Sequence, residues 1–263
     1  MAAYTFYKYQ GAGNDFVVVD NRNGLFDRDN VELVRRLCDR RFGIGADGLM
    51  LLQQIEGYDF EMVYFNADGR EGSMCGNGGR CIVAFARDLG IIDKATDFLA
   101  VDGPHHAEID QQRGWVSLQM KDVDGVGRDG DAYVLDTGSP HYVTLVDRSL
   151  VDFPVAEEGR RIRNNATYKA AGINVNFVEV EGEGYYLRTY ERGVEDETLA
   201  CGTGATAVAL AMATLDGKEG SLAIPIRVAG GNLTIRFVKD GERFRQVFLE
   251  GPATYVFKGE ITG

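Results

Sequence analysis

The sequence predicts an α/β (α+β) fold of two pseudo-symmetric domains, each a mixed, largely antiparallel β-sheet wrapped around a central buried helix. Three observations predict it: many short segments alternate apolar and polar residues, two helical segments are apolar almost all round, and both helices open with Cys-Gly-x-Gly, at Cys75 and Cys201, nearly half the 263-residue chain apart. A helix apolar on every face is buried on every face, and in a strand-rich chain a curved sheet is the simplest enclosure. The succession of strand, polar loop and Cys-Gly-x-Gly helix occurs twice, as in an internal repeat.

In chain order, residues 16–20 read as a strand. Residues 30–42 read as an amphipathic helix with Val31, Val34, Leu37 and Cys38 on one stripe and Asp29 or Asn30 as cap, lying on the outside of a sheet. Residues 58–65 alternate, with Phe60, Met62 and Tyr64 inward. The first buried helix starts at Cys75 and runs through Cys81-Ile-Val-Ala-Phe-Ala86; residues 115–121 alternate again, with Val116, Leu118 and Met120 inward. Residues 122–130, rich in Gly, Asp and Val, suit a connecting loop. Strands follow at 132–135, 141–146, 173–180 and 185–190. The second buried helix starts at Cys201 and contains Ala205 to Ala213, before strands at 233–238, 244–249 and 254–258. Short connections favour antiparallel pairing.

A hydrophobic fraction of 44% with 26% charged residues is the balance of a globular protein. Forty acidic against 28 basic residues give a net charge of −12, and with no Lys/Arg cluster they argue against a nucleic-acid partner. Residues 1–10 lack a basic stretch followed by an apolar one, and no run of 18 apolar residues occurs, so neither secretion nor a membrane partner is expected. Four scattered cysteines point to a reducing cytoplasm, and three histidines without a Cys-x-x-Cys pair leave no zinc site by spacing. Cys38 and Cys81, on apolar helical faces, read as inert core residues. Glycine is abundant, 34 residues against 5 prolines, which suits tight turns and close backbone approaches.

A cysteine at a helix N-terminus sits at the positive end of the dipole, which favours the reactive thiolate. The glycines after it leave backbone N–H groups open to a carboxylate. Two such starts define something narrower: a carboxylate held between them, with one thiol on either side of its α-carbon. Inverting a stereocentre by proton transfer needs an acid and a base on opposite faces, and a thiolate and thiol can serve near neutral pH. The bound carboxylate takes up the developing charge, stabilised by helix dipoles and N–H donors. Neither pyridoxal phosphate nor a metal is needed. A nucleotide-binding loop is a poorer reading, because Gly76-Asn-Gly78 lacks the Lys-Ser/Thr of a P-loop and no Rossmann pattern follows.

Gly11-Ala-Gly-Asn-Asp-Phe16, Phe42-Gly-Ile-Gly-Ala-Asp47, Phe65-Asn-Ala-Asp-Gly69, Met74-Cys-Gly-Asn-Gly-Gly-Arg-Cys81, Ser139-Pro-His141, Asn174, Tyr190-Glu-Arg-Gly193 and Ala200-Cys-Gly-Thr-Gly204 together resemble the diaminopimelate epimerase family over nearly the whole chain. The resemblance implies a cofactor-independent isomerase of lysine and peptidoglycan precursor synthesis, cytoplasmic and homodimeric, with diaminopimelate as small-molecule substrate and no cofactor or metal. It implies domains at 1–118 plus 251–263 and at 119–250. Cys75 and Cys201 would be the paired base and acid in a cleft between them, with Glu191 and His141 orienting the thiols, tuning them and helping to hold the reacting ammonium. The backbone of Gly76, Asn77, Gly202 and Thr203 would hold the α-carboxylate. Asn14, Asn66, Asn174 and Arg192 would hold the distal end, Arg192 pairing with its carboxylate.

Three departures stand out. Ser139 replaces a substrate-contacting Asn of the family, a gap that a water could fill. Gly48 stands where some members carry Gln, and one extra residue lies between Glu191 and Cys201, where a bulged loop is expected. Two alternatives remain at this point. A proline or hydroxyproline racemase of the same fold typically has His after Cys-Gly and Asp before the second motif, where this chain has Asn77 and Glu191-Arg192. A thiol redox or anion-binding protein without isomerase activity would promote no deuterium uptake at an α-carbon.

Overall fold

The computed structural model describes residues 3–262 of the protein; Met1, Ala2 and Gly263, which the expected first domain includes, lie outside the described residues. Along the chain run β1 (Ala3–Gly11), β2 (Asn14–Asp20), α1 (Val31–Cys38), β3 (Gly48–Gln53), β4 (Glu61–Asn66), α2 (Gly76–Asp88), β5 (Ala95–Ala100), β6 (Gly103–Asp110), β7 (Trp115–Gln119), β8 (Gly127–Asp129), β9 (Ala132–Asp136), β10 (Pro140–Leu145), α3 (Val155–Arg163), β11 (Asn174–Glu181), β12 (Gly184–Glu191), β13 (Asp196–Thr198), α4 (Gly202–Leu215), β14 (Gly220–Val228), β15 (Gly231–Asp240), β16 (Arg243–Pro252) and β17 (Thr254–Thr262). They fall into two compact units, residues 1–118 with 251–263 and residues 119–250.

In the first unit the strands pair in the order β17, β1, β2, β3, β4, β5, β6, β7, with β2–β3 and β4–β5 parallel and the rest antiparallel. Central strands of this kind are buried on both faces. Val17, Val19, Leu49, Leu51, Val63 and Phe65 pack with Leu33, Val34, Leu37 and Cys38 of α1, and the alternating residues, such as Phe16, Met50 and Met62, leave the other face for α2. That helix contacts β1, β2, β3, β4, β6 and β17 and is buried from Gly76 to Ala86.

The second unit repeats this plan. Its strands pair as β8, β9, β10, β11, β12, β14, β15, β16, with β10–β11 and β12–β14 parallel and the others antiparallel. In each unit one amphipathic helix links the first parallel pair and one apolar helix the second. On β11, Val175 and Phe177 pack with Val155 and Ile162 of α3, which turns Asn174 and Asn176 toward the face of α4. That helix is buried from Ala205 to Ala213 and contacts β9, β10, β11, β12, β14 and β15.

Several sequence expectations are corrected. The helix expected over 30–42 stops at Cys38, because Asp39 turns extended and its carboxylate caps the N–H groups of Arg41 and Phe42. Val31, assigned to its buried stripe, is 42% exposed, and Leu33 takes its place. The strand expected at 58–65 begins at Glu61 and alternates less than supposed, since Val63 and Phe65 are as buried as Met62. The loop expected over 122–130 contains β8, paired with β9. Helix α3 is hard to foresee from the sequence because its nine residues hold two glutamates before Gly159 and three arginines after it, leaving few apolar positions.

Helix α3 lies so close to β12 that a Cβ on Gly159 would stand 2.3 Å from Tyr190 Cβ. Gly159→Ala gains helix propensity of about 1 kcal/mol, whereas overpacking costs roughly 1–3 kcal/mol. At 2.3 Å the upper part of that cost applies, so a net loss of about 1–2 kcal/mol is expected, read as a lowered urea midpoint; an unchanged or raised midpoint would show that the contact yields freely.

Candidate active site

In the first unit the strand directions bring the start of β2, the start of β3 and the end of β4 together, since β2 and β3 are parallel and β4 returns antiparallel. The loop after β4 then leads to Cys75, the N-cap of α2. Its backbone is extended, and Sγ accepts a hydrogen bond from Gly78 N at 3.2 Å. A Cβ on Gly78 would stand 3.2 Å from that sulfur, so glycine there leaves the thiol its space. Gly76 and Asn77 form the first turn and are buried.

A hydrogen-bonded chain fixes this helix start. Asp47 Oδ2 accepts from Asn14 Nδ2 at 3.1 Å, Asn14 Oδ1 accepts from Asn77 Nδ2 at 2.5 Å, and Asn77 Oδ1 accepts from Arg80 at 2.8 Å. Behind it, Asp15 pairs with Lys8 and Arg40 at 2.6 Å each, and Arg40 also reaches Asp47 at 2.8 Å. Burial alone would raise the Asp15 carboxyl, but Arg40 and Lys8 outweigh it and hold it at about 2. The Gly11–Phe16 and Phe42–Asp47 motifs thus meet in one support. Arg80, which the sequence reading left unassigned, has no exposed surface. No carboxylate pairs with it among the described residues, its Nε has no partner, and burial pulls its guanidinium down to about 10. It is the one charge in the buried stretch of the helix from Gly76 to Ala86, a signal legible in the sequence.

Asn66 is exposed at the end of β4, opposite Gly48 in register. A Cβ on Gly48 would stand 2.5 Å from both the Tyr64 ring and Phe65 O. The Tyr64 ring therefore fills the space a side chain at position 48 would need. Cys38 and Cys81 are buried, which pushes both thiols up to about 12.

In the second unit the parallel pair β10 and β11 starts at His141 and Asn174, which face each other in register, and β12 ends beside them at Glu191. Asn174 Nδ2 donates to Ser139 Oγ at 3.0 Å and to Pro140 O at 3.2 Å, while its Oδ1 accepts from Arg192 N at 2.8 Å. The Arg192 guanidinium reaches Ser139 Oγ and Ala171 O, each at 3.3 Å. No carboxylate pairs with this exposed arginine among the described residues. Ser139 thus joins Asn174 to Arg192 directly. Between Glu191 and Cys201 the chain makes a tight turn, with Glu195 at φ 60°, and β13 folds back on β12.

Burial pushes the Glu191 carboxyl up, against the lowering effect of a 2.8 Å hydrogen bond from Thr198 Oγ1. Cys201 is the N-cap of α4, with Sγ 3.5 Å from Thr203 Oγ1; Gly202 follows in the first turn. Thr137 Oγ1 donates to Thr203 O at 2.8 Å. A Cβ on Gly204 would stand 3.3 Å from Cys201 Sγ and 2.6 Å from Asn176 Oδ1. Asn176, also unassigned in the sequence reading, lies 3.1 Å from His141 Nδ1. His141 is wholly buried and its Nε2 has no partner; the polar residues of β11 within an apolar run were the available signal for Asn176. Among the described residues no group of three or more His, Cys, Asp or Glu is placed to hold a metal ion, and no helix is long and apolar enough to cross a membrane.

Solved structures share this mixed α/β fold. A Bacillus anthracis phenazine biosynthesis protein of the PhzF family superposes with a TM-score of 0.76 at 15% identity, covering 100% of both chains. A probable proline racemase from Agrobacterium radiobacter superposes at 0.68 and 15% identity, over 98% of this chain and 93% of the other. Residues 6–126 and 133–256 match the sequence profile described as diaminopimelate epimerase. Proteins of that name from Flavobacterium psychrophilum and Chlorobaculum tepidum are 52% and 45% identical, over 97% and 96% of this chain and 99% of each relative. The chain belongs to the diaminopimelate epimerase family.

The burial of His141 has a consequence for stability. Burial is the largest influence on the ring and lowers its pKa, followed by Asp136, which raises it, and Arg192, which lowers it; the ring is pulled down to about 3, well below an ordinary imidazole. A depressed folded value means that the unfolded chain binds the extra proton first. The stabilising effect of the neutral ring is complete above the unfolded value and is lost as pH falls from about 6.5 toward 3, on the order of 5 kcal/mol. His141→Gln should flatten this part of the stability curve, measured by urea unfolding at stepped pH. An equally steep decline in the variant would contradict a neutral buried His141.

Proposed function

We propose that the protein is a cofactor-independent epimerase interconverting LL- and meso-2,6-diaminopimelate, with Cys75 and Cys201 as paired acid and base. The observation that carries this reading is the twofold occurrence of one device: a buried helix opened by an N-cap cysteine, with a glycine three residues on that leaves room for the sulfur. In each direction one cysteine, as thiolate, takes the α-proton and the other, as thiol, delivers a proton to the opposite face. Charge developing on the α-carboxylate is stabilised by first-turn N–H groups of Gly76, Asn77, Gly202 and Thr203. Asn14, Asn66, Ser139 and Asn174 complete the substrate contacts, and Glu191, partly buried and accepting, suits the reacting ammonium. The 52% identity to a diaminopimelate epimerase over nearly the full length of both chains supports the substrate. Arg192 supports it independently: an arginine held by neutral acceptors keeps its charge for a second carboxylate, which proline lacks. The same reading places the reaction in lysine and peptidoglycan precursor synthesis, in a cytoplasmic homodimer.

Cys75→Ala and Cys201→Ala should each abolish epimerisation, because one face of the carbon loses its proton donor or acceptor. Incubation of the unaltered protein with either isomer in D₂O, without added cofactor, should place deuterium at one α-carbon. Absence of label there would instead favour a thiol protein without isomerase activity.

Arg192→Lys keeps the charge but loses the planar fork, so affinity for diaminopimelate should fall about ten- to hundredfold. Turnover should fall as well, since distal binding positions the α-carbon. Iodoacetamide labelling of both thiols should stay unchanged; unaltered kinetics would make Arg192 a surface residue and reopen the choice of substrate.

A further inference from the structure

We propose that Asn176 is a positioning residue that holds His141 as the neutral imidazole protonated at Nε2, making His141 a hydrogen-bond donor to an anion during turnover. The argument starts at the far end of the Asn176 amide. Its Nδ2 lies 3.0 Å from the backbone oxygen of Tyr142, which can only accept, so that end of the amide is the nitrogen. Its Oδ1 accepts from Thr189 Oγ1 at 3.0 Å, consistent with the same orientation. The second Nδ2 hydrogen therefore points at His141 Nδ1, 3.1 Å away. A nitrogen that accepts carries no proton, so in the neutral ring the proton is on Nε2.

Burial keeps the ring neutral, with Asp136 and Arg192 the charged groups acting on it in opposite directions. The Nε2–H is buried and unpartnered, and a buried donor in that state calls for an acceptor that arrives with the reaction. A donor cannot serve an ammonium group, which has only hydrogens to offer. On the epimerase reading, on which this inference rests for its ligand, the ammonium is left to Glu191, and His141 serves an anionic acceptor. A carboxylate of the substrate supplies that chemistry. Asn176 is tied to the second helix start in any case, its Oδ1 filling the space above Gly204.

The test uses ¹⁵N-imidazole spectra of the full chain, in which only three histidines contribute. The His141 signals should show Nε2 protonated and Nδ1 bare, unchanged between about pH 5 and 8; a proton on Nδ1, or an imidazolium in that range, would overturn the proposal whether or not the chain epimerises diaminopimelate. Asn176→Asp places an acceptor against Nδ1 and should move the proton there or charge the ring, with kcat lowered about ten- to hundredfold and KM changed much less. Wild-type kcat and an unaltered tautomer in a folded Asn176→Asp chain would refute the positioning role. If that variant does not fold, the wild-type spectrum still decides the tautomer. Diaminopimelate added to the Cys75→Ala chain should shift the Nε2 signal if a substrate carboxylate is the acceptor. Absence of that shift would remove the donor role.

Discussion

Because a helix without a polar face has no stable place at a surface, α2 and α4 dictate the sheets around them and also the character of their own first turns. Both units enclose such a helix with the same sequence of parallel and antiparallel pairings. Enclosure leaves the helix N-terminus as the place where backbone donors and the positive end of the dipole meet a dry environment, and there partial charges act more strongly than in water. A cysteine placed at that point experiences a field set by the fold itself.

The two starts are supported by different chemistry. Around Cys75 the partners are linked charges and amides, from Lys8, Asp15, Arg40 and Asp47 through Asn14 and Asn77 to Arg80. Around Cys201 they are neutral: Thr137, Thr189, Asn176 and His141. The position of Arg80 in the first motif is that of Thr206 in the second, and both reach the carbonyl four residues earlier, Gly76 O and Gly202 O. The topology is duplicated, but the electrostatics of the two halves are not.

Much of this was legible in the sequence for a physical reason: the all-apolar helices and their Cys-Gly-x-Gly starts leave few ways to fold, and strands such as residues 173–180 and 233–238 carry β-branched and aromatic runs. The sequence was silent where burial depends on both faces of a strand. Val63 and Phe65 are buried by α1 while Met62 faces the other way, a situation that alternation cannot reveal. It was also silent about support. Asn176 acts through His141 and Tyr142, distant in the chain, Arg80 turns inward onto its own helix start, and Tyr64 fills the space at Gly48 through a side-chain direction that no local pattern encodes. Phe42, expected to end a helix, is instead 86% exposed, because Asp39 ends the helix earlier through its own side chain.

Strand β17 occupies in the first unit the place that β8 occupies in the second, yet it follows the whole second unit in sequence. Residues 119–250 are contiguous and can close their sheet as soon as they are made, whereas β1 waits for a partner some 250 residues later. During synthesis the half that is made first is therefore completed last. Its β1 edge stays open while the other half is translated, and closing it fixes a loop nearly as long as the chain. The entropy of that closure grows only slowly with length, so the delay is mainly a matter of time, and the vulnerable interval belongs to an unpaired strand edge rather than to either helix.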